Sequence, residues 1–133
     1  MKIKIYVGCS LTHAPQEYKD GIEELKVELR KKYEILEFIG LIKGTPVEVF
    51  EHDTNCVRQC DLFLADVSHP AIGVGYELGT ALALNKPVLA VAQQDAKVGR
   101  LVLGVTHPKF SFKRYDKLEE VVDLVEEKLN NKN

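Results

Sequence analysis

The chain has 133 residues, 45% of them hydrophobic, which suits one compact domain able to bury a core and leaves little for a second. Its 18 Lys and Arg against 20 Asp and Glu give a formal charge of -2, and no basic run is interleaved with aromatics, so a nucleic acid polymer is not an expected partner. Three cysteines without framework spacing point to free thiols in a reducing, cytoplasmic setting, and no apolar stretch approaches the ~20 residues that crossing a bilayer requires.

In chain order, the apolar run at 3–7 predicts a first strand, with Gly8, Cys9 and Ser10 forming the turn at its end. Pro15 suits the first turn of a helix that shows Tyr18, Ile22, Leu25 and Leu29 on one face and ends near Lys32. Residues 34–38 read as a second strand, and Gly40, Gly44 and Pro46 mark a loop of undefined length. A short helix is predicted over 51–60, where Cys56 and Cys60 share a face but offer too few ligands for zinc. A central strand over 62–67 precedes a helix over 75–84, which opens after Gly73 and Gly75; another central strand follows at 87–92. The last strand is predicted at 109–112, and Asp116 as the cap of a C-terminal helix carrying Leu118, Val121, Val122, Val125 and Leu129. The end, NNKN, reads as a frayed tail. Strands alternating with helices predict an α/β doubly wound five-stranded parallel sheet, flavodoxin-like (Rossmann-like), in the order 2-1-3-4-5.

In that order the loops after the first and third strands lie beside each other at the switch point of the sheet, where parallel α/β sheets bind ligands. Tyr6, Ser10, Asp53 and Glu77 then converge on one cleft. Two carboxyl groups in different environments suit a glycosidic bond: one attacks the anomeric carbon while the other protonates or steadies the leaving group. Glu77, expected in the first helical turn, fits the nucleophile because a helix N-terminus favours an ionised carboxylate. Tyr6 at a strand end can hold it by a hydrogen bond. The amides around Gly73 can bind a phosphate without side-chain help.

Plainer readings coexist with these. Asp53 and Ser10 also suit helix caps, Tyr6 a packed strand-end aromatic, and Glu77 an exposed residue of a first turn. Gly73 and Gly75 can be tight-turn residues, and their GxGxxxG spacing is not the GxGxxG dinucleotide fingerprint, so no nicotinamide cofactor is expected. The four histidines lack ligand spacing, and no metal is expected.

The runs YVGCS at 6–10, HDTN at 52–55, ADVSHP at 65–70 and GVGYELGTA at 73–81 resemble the nucleoside 2-deoxyribosyltransferase superfamily, with the 2'-deoxynucleoside 5'-phosphate N-hydrolases as the closer branch. The resemblance covers nearly the whole chain and implies a flavodoxin-like fold and cleavage of an N-glycosidic bond through a glycosyl-enzyme intermediate. It implies Glu77 as nucleophile, Tyr6 as its orienting hydroxyl and Asp53 as the carboxylate that handles base or sugar. The substrate-binding loops would comprise Gly8, Cys9, Ser10, Ala71, Gly73 and Gly75, with no cofactor and a small-molecule nucleoside or nucleotide as partner. A homodimer is implied, with a neighbouring subunit completing the site. Two positions depart from the hydrolase pattern: Ala71 stands where that branch has a serine for the 5'-phosphate, and Thr12 where it has an arginine. His13, His69 and Arg100 are substitute candidates for reading a phosphate. The expected activity is hydrolysis releasing free base, with base exchange by a transferase as runner-up and a non-catalytic nucleotide-binding module as the reading from another class.

Overall fold

The structure, a computed structural model, describes residues 2–39 and 43–131. Gly40 of the predicted loop and the last two residues of the predicted tail lie outside the described residues. Strand β1 (Lys4–Gly8) leads through helix α1 (Gln16–Arg30) to β2 (Glu34–Leu36), and α2 (Pro46–Gln59) leads to β3 (Leu62–Asp66). Helix α3 (Ile72–Ala83), β4 (Val88–Gln93), the single-turn α4 (Arg100–Leu103), β5 (Phe110–Tyr115) and α5 (Glu119–Asn130) complete the chain. All four strand pairings are parallel, in the order β2-β1-β3-β4-β5 that the alternation of elements predicts.

Helices cover both faces of the sheet, which is why β3 and β4 read as unbroken apolar runs rather than alternating ones. On one face Ile5, Val7, Leu62, Leu64, Leu89 and Val91 pack against Tyr18, Ile22, Leu25 and Leu29 of α1 and Val121 and Val125 of α5. On the other, Tyr6, Phe63, Ala65, Val88 and Ala90 pack against Val57 of α2 and Val74, Leu78 and Ala81 of α3. Successive side chains of a strand point to opposite faces, so Tyr6 and Gly8 share the α2/α3 side. Among the described residues no helix is long and apolar enough to cross a membrane.

Several boundaries differ from the sequence expectation for identifiable reasons. Helix α2 begins at Pro46 rather than at 51, because Thr45 and Glu48 form a reciprocal capping box with proline at the first helical position. Asp53 is therefore mid-helix and caps nothing. Helix α3 begins at Ile72, three residues early, so Gly73 and Gly75 lie within it instead of in a preceding turn. Each interior glycine costs a helix roughly 1 kcal/mol, and the buried Val74, Leu78 and Ala81 offset that. Asp116 does not cap α5, which starts at Glu119; its own N–H donates to the Glu120 carboxylate at 3.0 Å. Ser10 does not cap α1 either, since Pro15 holds the N-cap position and the serine hydroxyl is used elsewhere. Strand β5 runs on to Tyr115, and α4 is too short to leave a periodic signal.

The capping box yields a prediction about α2. Thr45→Ala removes the acceptor for the Glu48 amide and should cost about 1 kcal/mol, within the usual 0.5–2 range for such caps. Urea unfolding should show a lower midpoint with an unchanged slope.

Candidate active site

Three elements of the α2/α3 side converge where the carboxyl ends of β1 and β3 meet. Tyr6 is fully buried on β1, its ring stacked on Phe63 of β3 with centroids 5.5 Å apart, and its hydroxyl donates to Glu77 Oε2 at 2.6 Å. That length lies in the charge-assisted range for a phenol bonded to a carboxylate. Asp53 reaches in from the middle of α2, where its Oδ1 accepts the Ile39 N–H at 3.2 Å. Both carboxyl groups and the Tyr6 ring line one cavity of about 720 Å³.

Gly8 is the tightest point. A Cβ there would stand 2.8 Å from the Phe63 ring and 3.3 Å from Glu77 Oε1, so the missing side chain lets the carboxylate lie against bare backbone. One residue on, Cys9 lines the cavity with a thiol that burial pushes up to about 12, which keeps it protonated and unreactive. Ser10 is buried and donates its hydroxyl to the Pro70 carbonyl at 3.3 Å, stitching the loop after β1 to the loop after β3.

Of the binding positions expected from sequence, Gly8, Cys9, Ser10, Ala71 and Gly73 line the cavity; Gly75, one helical turn in, does not. His13 lines it, whereas His69 packs edge-on against Tyr18 and Arg100 sits on α4 away from it. Among the described residues no group of three His, Cys, Asp or Glu is placed to hold a metal ion.

The electrostatics correct one expectation. Glu77 lies in the second turn of α3, beyond the reach of the helix-end charge, and no acidic residue occupies the first turn. Burial is the strongest influence and raises its pKa to about 7; the Tyr6 hydrogen bond pulls it down and the Asp53 charge pushes it up. Asp53 is also raised by burial, held back by the Ile39 amide and by the charge of His52. Tyr6 is raised far beyond neutrality, first by burial and then by Glu77, so its phenol stays protonated and serves as a donor. The Asp53 charge thus bears on Glu77, and the two carboxyl groups differ in setting, the condition for dividing acid and nucleophile roles.

Sequence reasoning missed two groups. Phe38, Phe50 and Tyr76 line the cavity, the last two as a tilted pair with centroids 6.0 Å apart. The buried Asp66 at the end of β3 accepts the Tyr115 hydroxyl at 2.5 Å and the Ser68 N–H at 2.9 Å, while Ser68 Oγ accepts the Gln93 N–H at 2.9 Å. This ties the loop that leads to Glu77 onto β4 and β5. Its local half was readable, because Asp followed two residues later by Ser is an Asx-turn pattern.

The raised Glu77 pKa has a stability consequence with a defined sign. Between about 4.5 and about 7 the folded chain holds a proton that the unfolded chain has released, so this group's contribution falls as pH rises through that window and levels off above it. Urea midpoints taken at about pH 5 and about pH 8 should differ less for Glu77→Gln than for the parent chain.

The family model described as Nucleoside 2-deoxyribosyltransferase matches residues 5–128. A relative from Thermofilum pendens, provisionally named 2'-deoxynucleoside 5'-phosphate N-hydrolase 1, is 31% identical over 112 residues, 82% of this chain and 78% of its own length. The 5-hydroxymethyl-dUMP N-hydrolase of Mus musculus is 37% identical over 78 residues, 58% of this chain and 45% of the mouse protein. Among solved structures, a CMP N-glycosidase from Clostridium botulinum superposes with a TM-score of 0.71 at 24% identity, covering 92% of this chain and 98% of that one. A 2-desoxiribosyltransferase from Leishmania mexicana gives 0.67 at 18%, covering 94% and 97%. These two share the fold. With the match running from β1 into α5, the chain belongs to the nucleoside 2-deoxyribosyltransferase family of enzymes.

Proposed function

We propose that this enzyme cleaves the N-glycosidic bond of (deoxy)nucleosides or their 5'-monophosphates and releases the free base, with Glu77 as nucleophile. One observation carries the reading: a buried phenol donates to Glu77 across the cavity that also holds Asp53. The raised pKa of Glu77 alone would favour it as the acid. The 2.6 Å phenol bond argues for the opposite assignment, since a donor at that range steadies the ionised form.

In the first step a Glu77 oxygen bonds to the anomeric carbon as the carbon–nitrogen bond breaks, and its electron pair leaves on the base nitrogen. Protonated Asp53 supplies the proton to that base. Water then attacks the anomeric carbon, the bond to Glu77 breaks with its electrons returning to the carboxylate, and Asp53 takes up the proton that water loses. Atoms and charge balance, and neither step calls on a metal or organic cofactor. Phe38, Phe50 and Tyr76 offer flat apolar faces for a base.

The working form in this proposal is a homodimer in the cytoplasm. Ile72 is 94% and Tyr76 57% exposed on α3, beside Gly75 and Gly79, where an added Cβ would meet nothing; such a face lets a second copy approach closely. Three buried free thiols suit a reducing compartment.

Glu77→Gln should lower base release by about a thousandfold or more while leaving ligand affinity nearly intact, measured by chromatography and calorimetry. A slow 2-fluoro nucleoside should leave sugar on Glu77 in peptide mass spectra; label on Asp53 would reverse the two roles, and exchange only with an added base would make the enzyme a transferase. Because the working form has Asp53 protonated and Glu77 ionised, activity should follow a bell with pH, one limb lying near 7. Tyr6→Phe removes the bond that lowers the Glu77 pKa, so the limb of the kcat profile near 7 should move to higher pH.

A further inference from the structure

Resting on the reading above, we infer that Lys26, which lies outside the cavity, is a positioning residue: its buried ammonium holds the Phe38 ring as the plate on which the departing base is laid. Lys26 is fully buried on the inner face of α1, in the row of Ile22 and Leu29. An apolar side chain would fill that place at less cost, because an ammonium taken out of water must be compensated. Its two ion pairs compensate it only in part. Glu23 at 3.1 Å is 59% exposed and Glu37 at 3.6 Å is 46% exposed, so water screens both, and Glu37 is shared with Arg30 at 2.6 Å. Among the described residues the ammonium makes no hydrogen bond. What remains is the Phe38 ring, whose centre lies 4.0 Å away, and a desolvated cation over an aromatic face is the strong form of that contact.

Phe38 carries the influence of that charge past the edge of the sheet. It follows the edge strand β2 and packs against both core clusters, the one under α1 and α5 and the one under α2 and α3. Lys26 belongs to the first side and the cavity to the second, and the ring lines the cavity. Apolar packing has no preferred direction, and the ring torsion of phenylalanine is broad. A cation over the ring centre fixes the plane, since the attraction comes from the face.

The place of this plate fits the proposed chemistry. The Ile39 N–H donates to Asp53 at 3.2 Å, so the carboxyl group that protonates the base is anchored one residue from Phe38. His52 Nε2 stands 2.6 Å from the Glu37 carbonyl and fastens the other end of the same stretch to α2. Residues 37–39 thus hold ring and acid together. A base that takes a proton from Asp53 lies beside Phe38, whereas Phe50 and Tyr76 stand half in solvent at the rim.

Lys26→Met keeps the length of the side chain and removes the charge. The substrate is whichever member of a panel of purine and pyrimidine 2'-deoxynucleosides and their 5'-monophosphates the parent chain cleaves fastest. On it the variant should raise KM about tenfold and leave kcat within about threefold. The plate grips the base alike before and during bond breaking, and the base has gone before water attacks, so kcat is spared at either step. A 2-fluoro nucleoside separates this from general loosening: labelling of the variant should slow about tenfold, while release of the trapped sugar into plain buffer should keep the parent rate. Loss of folding, an unchanged KM, a loss lying in kcat, or labelling and release slowed together makes Lys26 a structural residue and overturns this inference while the glycosidic chemistry stands. Absence of base release by the parent chain from every member of the panel overturns the chemistry itself.

Discussion

The direct parallel pairing of β1 with β3 is the constraint on which the site depends. Tyr6 stands opposite Phe63 and Gly8 opposite Ala65 in that register, so the loops leaving both strands emerge side by side. A slip of one residue would turn Tyr6 to the α1/α5 face and take its phenol away from Glu77. The register is held by burial on both sides, with Ile5 and Val7 committed to one core cluster and Tyr6 to the other. Fold and chemistry are thus linked through the same few strand residues.

Around that register the molecule concentrates charge where water is thin. Glu77, Asp53 and Tyr6 are all raised chiefly by burial, and each is held in place by a specific partner: the phenol for Glu77, the Ile39 amide for Asp53. The opposite face of the sheet supplies a separate polar cluster, in which Asp66, Ser68 and Tyr115 secure the loop before α3 from behind. Two acidic residues from different helices can face one cavity because the backbone carrying them is anchored on independent sides. The proposed chemistry needs that fixity, since misplacement by an ångström erodes the benefit of holding reactants together.

Much of this was legible in the residues. Alternation of strands and helices leads to the strand order, and the switch-point rule brings Tyr6, Asp53 and Glu77 to one cleft although they lie far apart in the chain. What escaped falls into two kinds. The start of α2 was written locally in Thr45, Pro46 and Glu48, but glycine and proline nearby read as loop. The start of α3 was not local at all: Gly73 and Gly75 favour a turn, and burial of Val74 and Leu78 against the sheet overrides them. That displacement moved Glu77 from a first turn to a second, so a helix-end argument for its charge gave way to desolvation. The bond from Tyr115 to Asp66 joins residues 49 apart in the chain, which no local pattern announces.

Gly8 leaves one wall of the cavity made of main chain, with the Phe63 ring and a carboxylate oxygen pressed against it. Main chain cannot be retuned by exchanging a side chain, and any residue other than glycine would intrude on both neighbours. Diversification of ligand choice is therefore pushed to the far wall, where Phe50 and Tyr76 stand half in solvent and can be replaced without disturbing the strand. The scaffold separates an immutable floor from an adaptable rim.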